Sequence, residues 1–157
     1  MTTASPVDSQ SPRIRQAERA DLLAVYRIEQ AAFPQPWPFS AFEQYLGEPG
    51  FLVAVDGAVV GYTVADFVSS HGRPLGHVKD IAVRRDRRGE GIGAQLLTQG
   101  LAALDRRGAA SVKLEVRENN DRAIALYRRH DFVHRRTVPG YYDDGEDALV
   151  FVRPLSG

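Results

Sequence analysis

Three glycines spaced two residues apart follow a cluster of arginines near the middle of the 157-residue chain. Gly89, Gly91 and Gly93 come directly after residues 84–88, in which four of the five side chains are arginine. Glycine allows a tight turn and lets a ligand approach the backbone closely. If a helix begins at this turn, its first unpaired N–H groups and the positive end of its dipole point into the same space. We therefore predict a site for a phosphate or pyrophosphate here.

Other interpretations of this turn are open. Gly89, Gly91 and Ala94 match the G-x-G-x-x-A fingerprint of dinucleotide-binding folds, and Glu115 lies about twenty residues further on, where a ribose-binding acid belongs. Against this, arginines separate the glycines from the preceding strand, and residues 116–157 are too few for the remaining elements of such a fold. A P-loop is excluded because no Gly-Lys-Ser/Thr follows the turn. The turn is also compatible with a helix that merely starts after glycines.

Glu115 is a candidate general base. It lies in residues 111–116, where apolar and charged side chains alternate, whereas a central strand covered on both faces would be apolar throughout. The charged side therefore meets a cleft, or it forms ion pairs with Lys113, Arg117 or a neighbouring strand. His77 is a rival base because imidazole titrates near neutral pH, although a structural, hydrogen-bonded histidine is the commoner case.

Aromatic residues supply the other candidates. Tyr127 offers a phenolic proton on a helix, and its spacing alone fits a core tyrosine with a bonded hydroxyl. Phe33 and Trp37 lie in a segment that three prolines keep extended, where they line a substrate groove or pack on the core. Tyr141 and Tyr142 are compatible with a binding surface or with the edge of a sheet.

Hydrophobic periodicity and turn signals predict a mixed α/β chain with elements in the order βααβββαβαββ. Residues 1–12 are rich in Ser, Thr, Pro and Gln and are expected to form a disordered tail. A capping box at Ser40–Glu43 would start the second helix. The strands are predicted at 13–17, 51–55, 58–67, 75–83, 111–116, 132–142 and 148–152, and the helices at 20–32, 40–46, after the glycine turn to 107, and from 119 or 120 to 130.

Composition limits the classes of function. Acidic and basic side chains balance at 20 each, so there is no overall field for binding nucleic acid or a membrane surface. The chain has no cysteine, which excludes disulfides, zinc–thiolate sites and a cysteine nucleophile and fits a reducing compartment. No stretch has the pattern of a signal peptide or membrane span, and the histidines lack ligand spacing. We expect a cytoplasmic protein with neither a metal nor a membrane partner.

Two further patterns resemble the GNAT family of acyltransferases. Residues 88–93 form R-x-x-G-x-G after the strand that ends at Val83, and residues 120–132 resemble the signature N-x-x-A-x-x-L-Y-x-x-x-G-F. The sequences LEVR at 114–117, GYY at 140–142 and EDA at 146–148 are similar to the RimI-type branch of N-terminal acetyltransferases. One departure is Asp131 in place of the usual glycine, at a helix end where glycine adopts the left-handed conformation more readily.

The resemblance implies the GNAT fold, a single α/β domain at residues 13–157 with a mixed, mostly antiparallel sheet flanked by helices. It implies acetyl-CoA as acetyl donor, CoA as product and no metal. A backbone N–H at Val83 would hold the thioester carbonyl. The residues that would contact the cofactor are Ile81, Ala82, Val83, Arg88, Gly89, Glu90, Gly91, Ile92, Gly93, Asn120 and Tyr127.

The resemblance also implies direct attack of an amine on the thioester in a ternary complex. Glu115 would deprotonate the amine, directly or through water, and Tyr127 would protonate the leaving thiolate. The acceptor would be the α-amino group of a protein, such as a ribosomal protein. The residues that would flank the peptide entrance are Phe33, Trp37, Tyr141 and Tyr142.

Two other functions remain compatible with the sequence: acetylation of a small amine or lysine side chain, and a non-catalytic acyl-CoA-binding module. The arginines at 84–88 would also suit nucleic acid, including ribosomal RNA, but the phosphates of CoA account for the same charges. The peptide preference and the oligomeric state are not predicted.

Overall fold

The computed structural model describes residues 11–68 and 72–155. The predicted tail lies outside these ranges apart from residues 11 and 12, which belong to no helix or strand. The remaining elements follow the predicted order. They are β1 (Arg13–Gln16), α1 (Leu22–Ala32), α2 (Phe39–Gln44), β2 (Phe51–Asp56), β3 (Ala58–Val68), β4 (Leu75–Val83), α3 (Ile92–Arg106), β5 (Ser111–Arg117), α4 (Asp121–Arg129), β6 (Val133–Val138) and β7 (Ala148–Pro154).

The strands form a seven-stranded mixed sheet in the order β1-β2-β3-β4-β5-β7-β6. The pairs β1–β2, β2–β3, β5–β7 and β6–β7 are antiparallel, and β4 pairs with β5 in parallel. Short 3₁₀ turns at Arg19–Asp21 and Arg85–Arg87 precede α1 and follow β4. The predicted mixed, mostly antiparallel sheet flanked by helices is confirmed.

The chain divides into two compact units, of which the first comprises residues 11–64 and Asp80–Gly100. Its larger core cluster joins α1 and α2 to β2 and β3, with the rings of Phe42, Phe51 and Tyr62 fully buried. Phe42 and Tyr62 meet edge to face with ring centroids 5.6 Å apart. A second cluster packs Ile92 and Leu96 of α3 against β2 and β3. Both ends of the glycine turn are therefore attached to buried structure.

The second unit comprises the described residues of 65–79 and 101–155. β5 alternates as predicted, because Val112, Leu114 and Val116 are buried while the side chains between them are half-buried. Leu114 lies opposite Phe151 in the register of β5 with β7. The strand therefore presents one apolar face and one charged face, and the charged face carries Glu115.

Two predicted element boundaries are wrong. α2 begins at Phe39, so Ser40 is not its cap; the first turn is closed one residue earlier by Ala41 N–H donating to the carbonyl of Pro38, 3.0 Å away. β6 ends at Val138 and does not reach Tyr142. Gly140 has φ +62°, a left-handed conformation that interrupts a strand. Tyr141 and Tyr142 therefore lie in a loop, which removes the sheet-edge interpretation for both.

Candidate active site

The glycine turn has the conformation that its sequence predicts. β4 ends at Val83, and Gly89 and Gly91 adopt φ values of +84° and +85°. Gln95 N–H donates to the Gly91 carbonyl at 3.1 Å, the first bond of the α3 ladder. The N–H groups of residues 92–94 therefore precede the intrahelical ladder, which makes them donors for an anion at the helix start. Gly93 lies inside α3, where its role is not conformational.

Two of the four arginines beside the turn bind carboxylates of the protein. Arg84 binds Asp86 at 2.7 Å. Arg87 binds Asp56 at 3.1 Å and Glu90 at 3.0 Å. Much of the positive charge expected from residues 84–88 is therefore offset locally, and the backbone N–H groups carry more of any anion binding than the sequence suggests.

A cavity of about 270 Å³ opens beside this segment within the first unit. Val83 and Val59 contribute apolar surface, while Arg84 and Arg88 lie at the same cavity. The Nε–H of Arg88 donates to the carbonyl of Val83 at 3.2 Å, which fixes the guanidinium next to the end of β4. The remaining lining residues are Ala24, Arg27, Ile28, Ala31, Ala58 and Arg85. An apolar cavity with guanidinium groups suits an elongated ligand that carries phosphate.

A second set of candidates meets on β4 and β5 in the second unit. Nε2 of His77 lies 2.7 Å from Oε1 of Glu115, and Nζ of Lys113 lies 2.8 Å from the other carboxylate oxygen. Nζ of Lys79 lies 3.2 Å from Nδ1 of His77. The two rival bases are thus one hydrogen-bonded pair, and Glu115 is half-buried and forms the ion pair with Lys113 that its sequence context suggested.

The charge state of Glu115 follows from these contacts. Burial tends to raise its pKa, but hydrogen bonds from His77 and Lys113 outweigh burial and lower the pKa to about 2. The carboxylate is therefore ionised at neutral pH and accepts hydrogen bonds from both neighbours. Lys79 was not predicted from the sequence. Its two-residue spacing from His77 could have indicated it, because that spacing places both side chains on one face of a strand. Burial lowers the pKa of Lys79.

Tyr127 and Asn120 lie at opposite ends of α4. Asn120 caps the helix, because its side-chain oxygen accepts from Ala123 N–H at 3.2 Å. Tyr127 is 5% exposed, and its ring meets that of Phe132 edge to face with centroids 5.9 Å apart. Asp131 has φ +67°, which confirms the left-handed conformation expected at this position. The packing interpretation of Tyr127 and the capping interpretation of Asn120 both hold, and they leave a cofactor role open.

The loop that carries Tyr141 and Tyr142 packs against a charged side chain, Arg117, through the Tyr142 ring. The rings of Tyr141 and Tyr142 meet edge to face with centroids 5.0 Å apart. The guanidinium of Arg117 lies 4.1 Å from the centre of the Tyr142 ring and also binds Asp144 and Glu146. Burial raises the pKa of Tyr142 to about 12, so its hydroxyl remains a hydrogen-bond donor at neutral pH. Tyr141 is half exposed and available to a ligand.

The aromatic residues of the proline-rich segment pack partly on the core. The Trp37 ring lies 5.2 Å from that of Phe42 and 5.9 Å from that of Tyr45. Trp37 N–H donates to Oε2 of Glu29 at 2.9 Å. Phe33 and Trp37 are both half-buried, so each keeps a surface for a ligand.

Sequence reasoning also missed a buried acidic cluster in the first unit, formed by Glu29, Tyr62 and Asp80. Its one sequence signal was Glu29 itself, a carboxylate within the apolar stripe of α1. Within residues 11–68 and 72–155, no group of three or more potential ligands could hold a metal. Among the helices that the structure describes, none is long and apolar enough to cross a membrane.

Comparison with known proteins agrees with this geometry. The model of the acetyltransferase (GNAT) family matches residues 22–132. An N-alpha-acetyltransferase of Saccharolobus solfataricus is 34% identical over 154 residues, covering 90% of this chain and 92% of that protein. The [ribosomal protein bS18]-alanine N-acetyltransferase of Escherichia coli K12 is 33% identical over 148 residues, covering 91% of this chain and 97% of that protein.

A solved structure supports the same assignment. The crystal structure of Ard1 from Thermoplasma volcanium superposes with a TM-score of 0.85 at 29% identity, covering 94% of this chain and 99% of that one. The family match spans the glycine turn, the His77–Glu115 pair and α4 with Tyr127. The chain therefore belongs to the acetyltransferase (GNAT) family and is an acyltransferase.

Proposed function

We propose that this enzyme transfers the acetyl group of acetyl-CoA to the α-amino group at a protein N-terminus. The observation that carries the proposal is the His77–Glu115 pair, a proton-handling group with a 2.7 Å contact on the charged face of the strands. The relatives named above are N-terminal acetyltransferases, and they match about nine-tenths of the chain. The acceptor class is carried over from them.

Acetyl-CoA binding would use the first unit's turn and strand end. The N–H groups at the start of α3 and residues 88–93 suit the pyrophosphate, since a helix start and glycine backbone together bind anions. Ile81, Ala82 and Val83 would pair with the pantetheine arm through their backbones, with the Val83 N–H on the thioester carbonyl. Asn120 would contact the arm while its side-chain oxygen still accepts from Ala123 N–H at the start of α4.

The proton of the acceptor amine would leave toward the His77–Glu115 pair. A carboxylate with a pKa of about 2 accepts a proton poorly from an amine, so Glu115 would act by holding a water and orienting His77. Nε2 of His77 lies 2.7 Å from the Glu115 carboxylate and Nδ1 lies 3.2 Å from Nζ of Lys79, so both ring nitrogens are engaged and the amine proton would pass to the water held by Glu115. The amine would attack the carbonyl carbon of the thioester and lose its proton to that water, the C–S bond would break, and the Tyr127 hydroxyl would give its proton to the leaving thiolate.

The entrance would accept an extended N-terminus. Phe33 and Trp37 on one segment, and Tyr141 and Tyr142 on another, supply aromatic surface of the kind that binds peptides. A candidate partner is a ribosomal protein, by analogy with the Escherichia coli relative.

Mass spectrometry after incubation with acetyl-CoA and a peptide panel tests the proposal. The panel contains free N-termini beginning Ala, Ser, Met-Glu and Met-Leu, together with N-blocked peptides that carry an internal lysine. We expect acetylation of the free α-amines alone. Acetylation confined to the blocked lysine peptides would replace the proposal with a lysine acetyltransferase, and absence of transfer with acetyl-CoA still bound would indicate a small-molecule acceptor or a non-catalytic module.

A further inference from the structure

The buried acidic cluster of the first unit joins three elements to the proline-rich segment. Glu29 of α1 is 2% exposed, and Tyr62 of β3 is fully buried. The Tyr62 hydroxyl donates to Oε1 of Glu29 and lies 3.4 Å from Oδ2 of Asp80 on β4. The other oxygen of Glu29 accepts from Trp37 N–H. Glu29 and Asp80 together form the carboxyl pair.

The carboxyl pair holds fewer charges than its two residues suggest. Two carboxylates in a buried site repel each other and lose hydration, so one of them keeps its proton. Burial, together with the hydrogen bond and the charge of Glu29, holds the pKa of Asp80 well above its usual range. The groups that act on Asp80 are Glu29 from α1, Tyr62 from β3 and the Ile81 backbone of β4 itself. Burial also raises the pKa of Tyr62, which therefore stays a donor.

The contacts of Glu29 have a structural consequence. The Tyr62 hydroxyl donates to one Glu29 oxygen, so the other oxygen is left for the Trp37 N–H. The Asp80 backbone is fixed too, because Thr63 Oγ donates to its carbonyl at 3.0 Å. Asp80 directly precedes Ile81, the first residue proposed to pair with acetyl-CoA. One cluster thus holds both a segment of the proposed acceptor entrance and the strand that would carry the donor.

We propose that the carboxyl pair, bonded to Tyr62, positions the Trp37 segment for binding of the acceptor peptide. Glu29 is a positioning residue because it accepts from the Trp37 backbone, and Tyr62 and Asp80 act on Trp37 through Glu29. Ionisation of Asp80 places a second negative charge near Glu29, and the repulsion displaces Glu29 from the Trp37 N–H. The role in acceptor binding rests on the proposed function, whereas the hold on the Trp37 segment does not.

The tryptophan gives a readout that needs no acceptor. Trp37 is the only tryptophan of the chain, so its fluorescence reports on this segment alone. We expect a transition in the wild-type fluorescence, at a pH above the ordinary carboxyl range, as Asp80 loses its proton. Asp80→Asn supplies an amide N–H in place of the acid proton and cannot ionise, so that transition should disappear while the neutral-pH spectrum is kept. Ionisation of the tyrosines outside the cluster quenches both proteins alike and is subtracted by the comparison.

Kinetics then separate acceptor from donor effects. Glu29→Gln turns an amide donor toward either Tyr62 or the Trp37 N–H, so the acceptor KM should rise roughly tenfold, the size expected for one lost hydrogen bond. The acetyl-CoA dissociation constant should stay within about twofold of wild type by the same reasoning. Asp80→Asn should keep the acceptor KM within about threefold and lose any decline in kcat/KM that accompanies the wild-type fluorescence transition. Glu43→Gln, at an exposed residue of α2, is the matched control.

Specific results would overturn the inference. If the fluorescence transition persists in Asp80→Asn, ionisation of Asp80 does not control the Trp37 segment, whatever the acetylation assay shows. An equal loss of acetyl-CoA and acceptor affinity in Glu29→Gln indicates a general structural role. If the fluorescence behaves as expected but no N-terminus is acetylated, the hold on the Trp37 segment stands and the proposed acceptor class fails.

Discussion

Glu115 forms the ion pairs that the sequence presents as the alternative to a catalytic base, and its role as a base stays a prediction. It binds Lys113 and His77, so it takes part in ion pairs, and it also lies on the charged face where a base is expected. The two interpretations differ in what removal of one partner would do. An ion pair with only a structural purpose would change stability, whereas a proton-handling group would also change the dependence of turnover on pH.

Lys113→Met is the substitution that separates them. It removes one of the two hydrogen bonds that hold the pKa of Glu115 down, while burial continues to raise it. The acid limb of kcat/KM for the acceptor should therefore move to higher pH. Lys113→Arg keeps the positive charge and should leave the limb near its wild-type position. Identical limbs in wild type and Lys113→Met would show that Glu115 takes no part in proton transfer.

Tyr127 is the residue whose catalytic role can be tested without altering the packing of its ring. Phenylalanine keeps the contact with Phe132 and removes only the hydroxyl. If Tyr127 protonates the thiolate, kcat should fall at least tenfold, since a positioned general acid contributes roughly 10²–10⁴-fold. Acetyl-CoA binding, measured by calorimetry, should be kept. Tyr26→Phe on α1 is the control, and equal turnover in the two variants would favour a core tyrosine.

Part of the candidate site could be predicted from residue types, and the rest could not. Glu115, His77 and Tyr127 were identifiable because each departs from its local pattern or falls within a recognisable motif. Asp80 and Tyr62 were not, because the feature that distinguishes them is their contact with Glu29, which comes from another part of the chain. Pairing between distant carboxyl groups is a property of tertiary structure, and a single sequence does not carry it.

At the scale of elements, α4 depends on both of its ends. Asn120 caps the start, and the end has the bonds of a Schellman motif: Phe132 N–H donates to the Tyr127 carbonyl and Asp131 N–H to the Arg128 carbonyl, each at 3.1 Å. The contact between the Tyr127 and Phe132 rings is the hydrophobic part of that motif. The helix end thus fixes the residue proposed as the acid.

Asp131→Gly should stabilise the protein. Asp131 occupies φ +67°, a conformation that costs an L-residue about 1 kcal/mol more than glycine. Part of the gain is offset because glycine has more freedom in the unfolded chain. Urea denaturation should give a higher free energy of unfolding, by roughly 0.5 kcal/mol, the difference between the two effects. Asn120→Ala should lower it by about 1 kcal/mol. A destabilised Asp131→Gly would mean that the Asp131 side chain contributes more than its backbone costs.

The elements were more predictable than their ends. Alternation identified β5, and helical periodicity with a cap identified α4, because those patterns are local. β6 was predicted to be too long because the prediction carried the strand past Pro139-Gly140, a turn signal that directly follows Val138. There the chain turns so that Tyr142 N–H donates to the Glu146 carbonyl at 3.1 Å, a contact decided by residues beyond the strand.

At the scale of the whole molecule, stability should depend on pH through groups in each unit. In the first unit, the hydrogen bond from Arg15 holds the pKa of Asp21 below its ordinary value against the opposing effect of burial. In the second unit, Glu115 has a pKa of about 2. Asp80 acts in the opposite sense, because its pKa is raised. Its protonated form is favoured by folding, so its contribution is complete at low pH and is lost as the pH rises.

For Asp21 and Glu115 the sign is reversed. A carboxyl with a lowered pKa stabilises the folded state fully above its unfolded pKa, and that stabilisation is lost as the pH falls toward the folded value. For Glu115 the window runs from its unperturbed pKa of 4.5 down to about 2. The stabilisation at stake is about 3 kcal/mol, from 1.36 kcal/mol per pKa unit. We expect the free energy of unfolding to be greatest at intermediate pH, above the range in which Asp21 and Glu115 become protonated and below the range in which Asp80 ionises.

Glu115→Gln tests this linkage independently of activity. Glutamine does not ionise, so the variant should be less stable than wild type at pH 7 and should lose less stability on acidification. The measurement is the free energy of unfolding in urea at about pH 7 and about pH 3, two values on either side of the carboxyl range. Glu118→Gln changes an exposed residue just after β5 and should lose as much stability on acidification as wild type does. An acid-induced loss in Glu115→Gln equal to that of wild type would show that the contacts with His77 and Lys113 do not lower the pKa of Glu115.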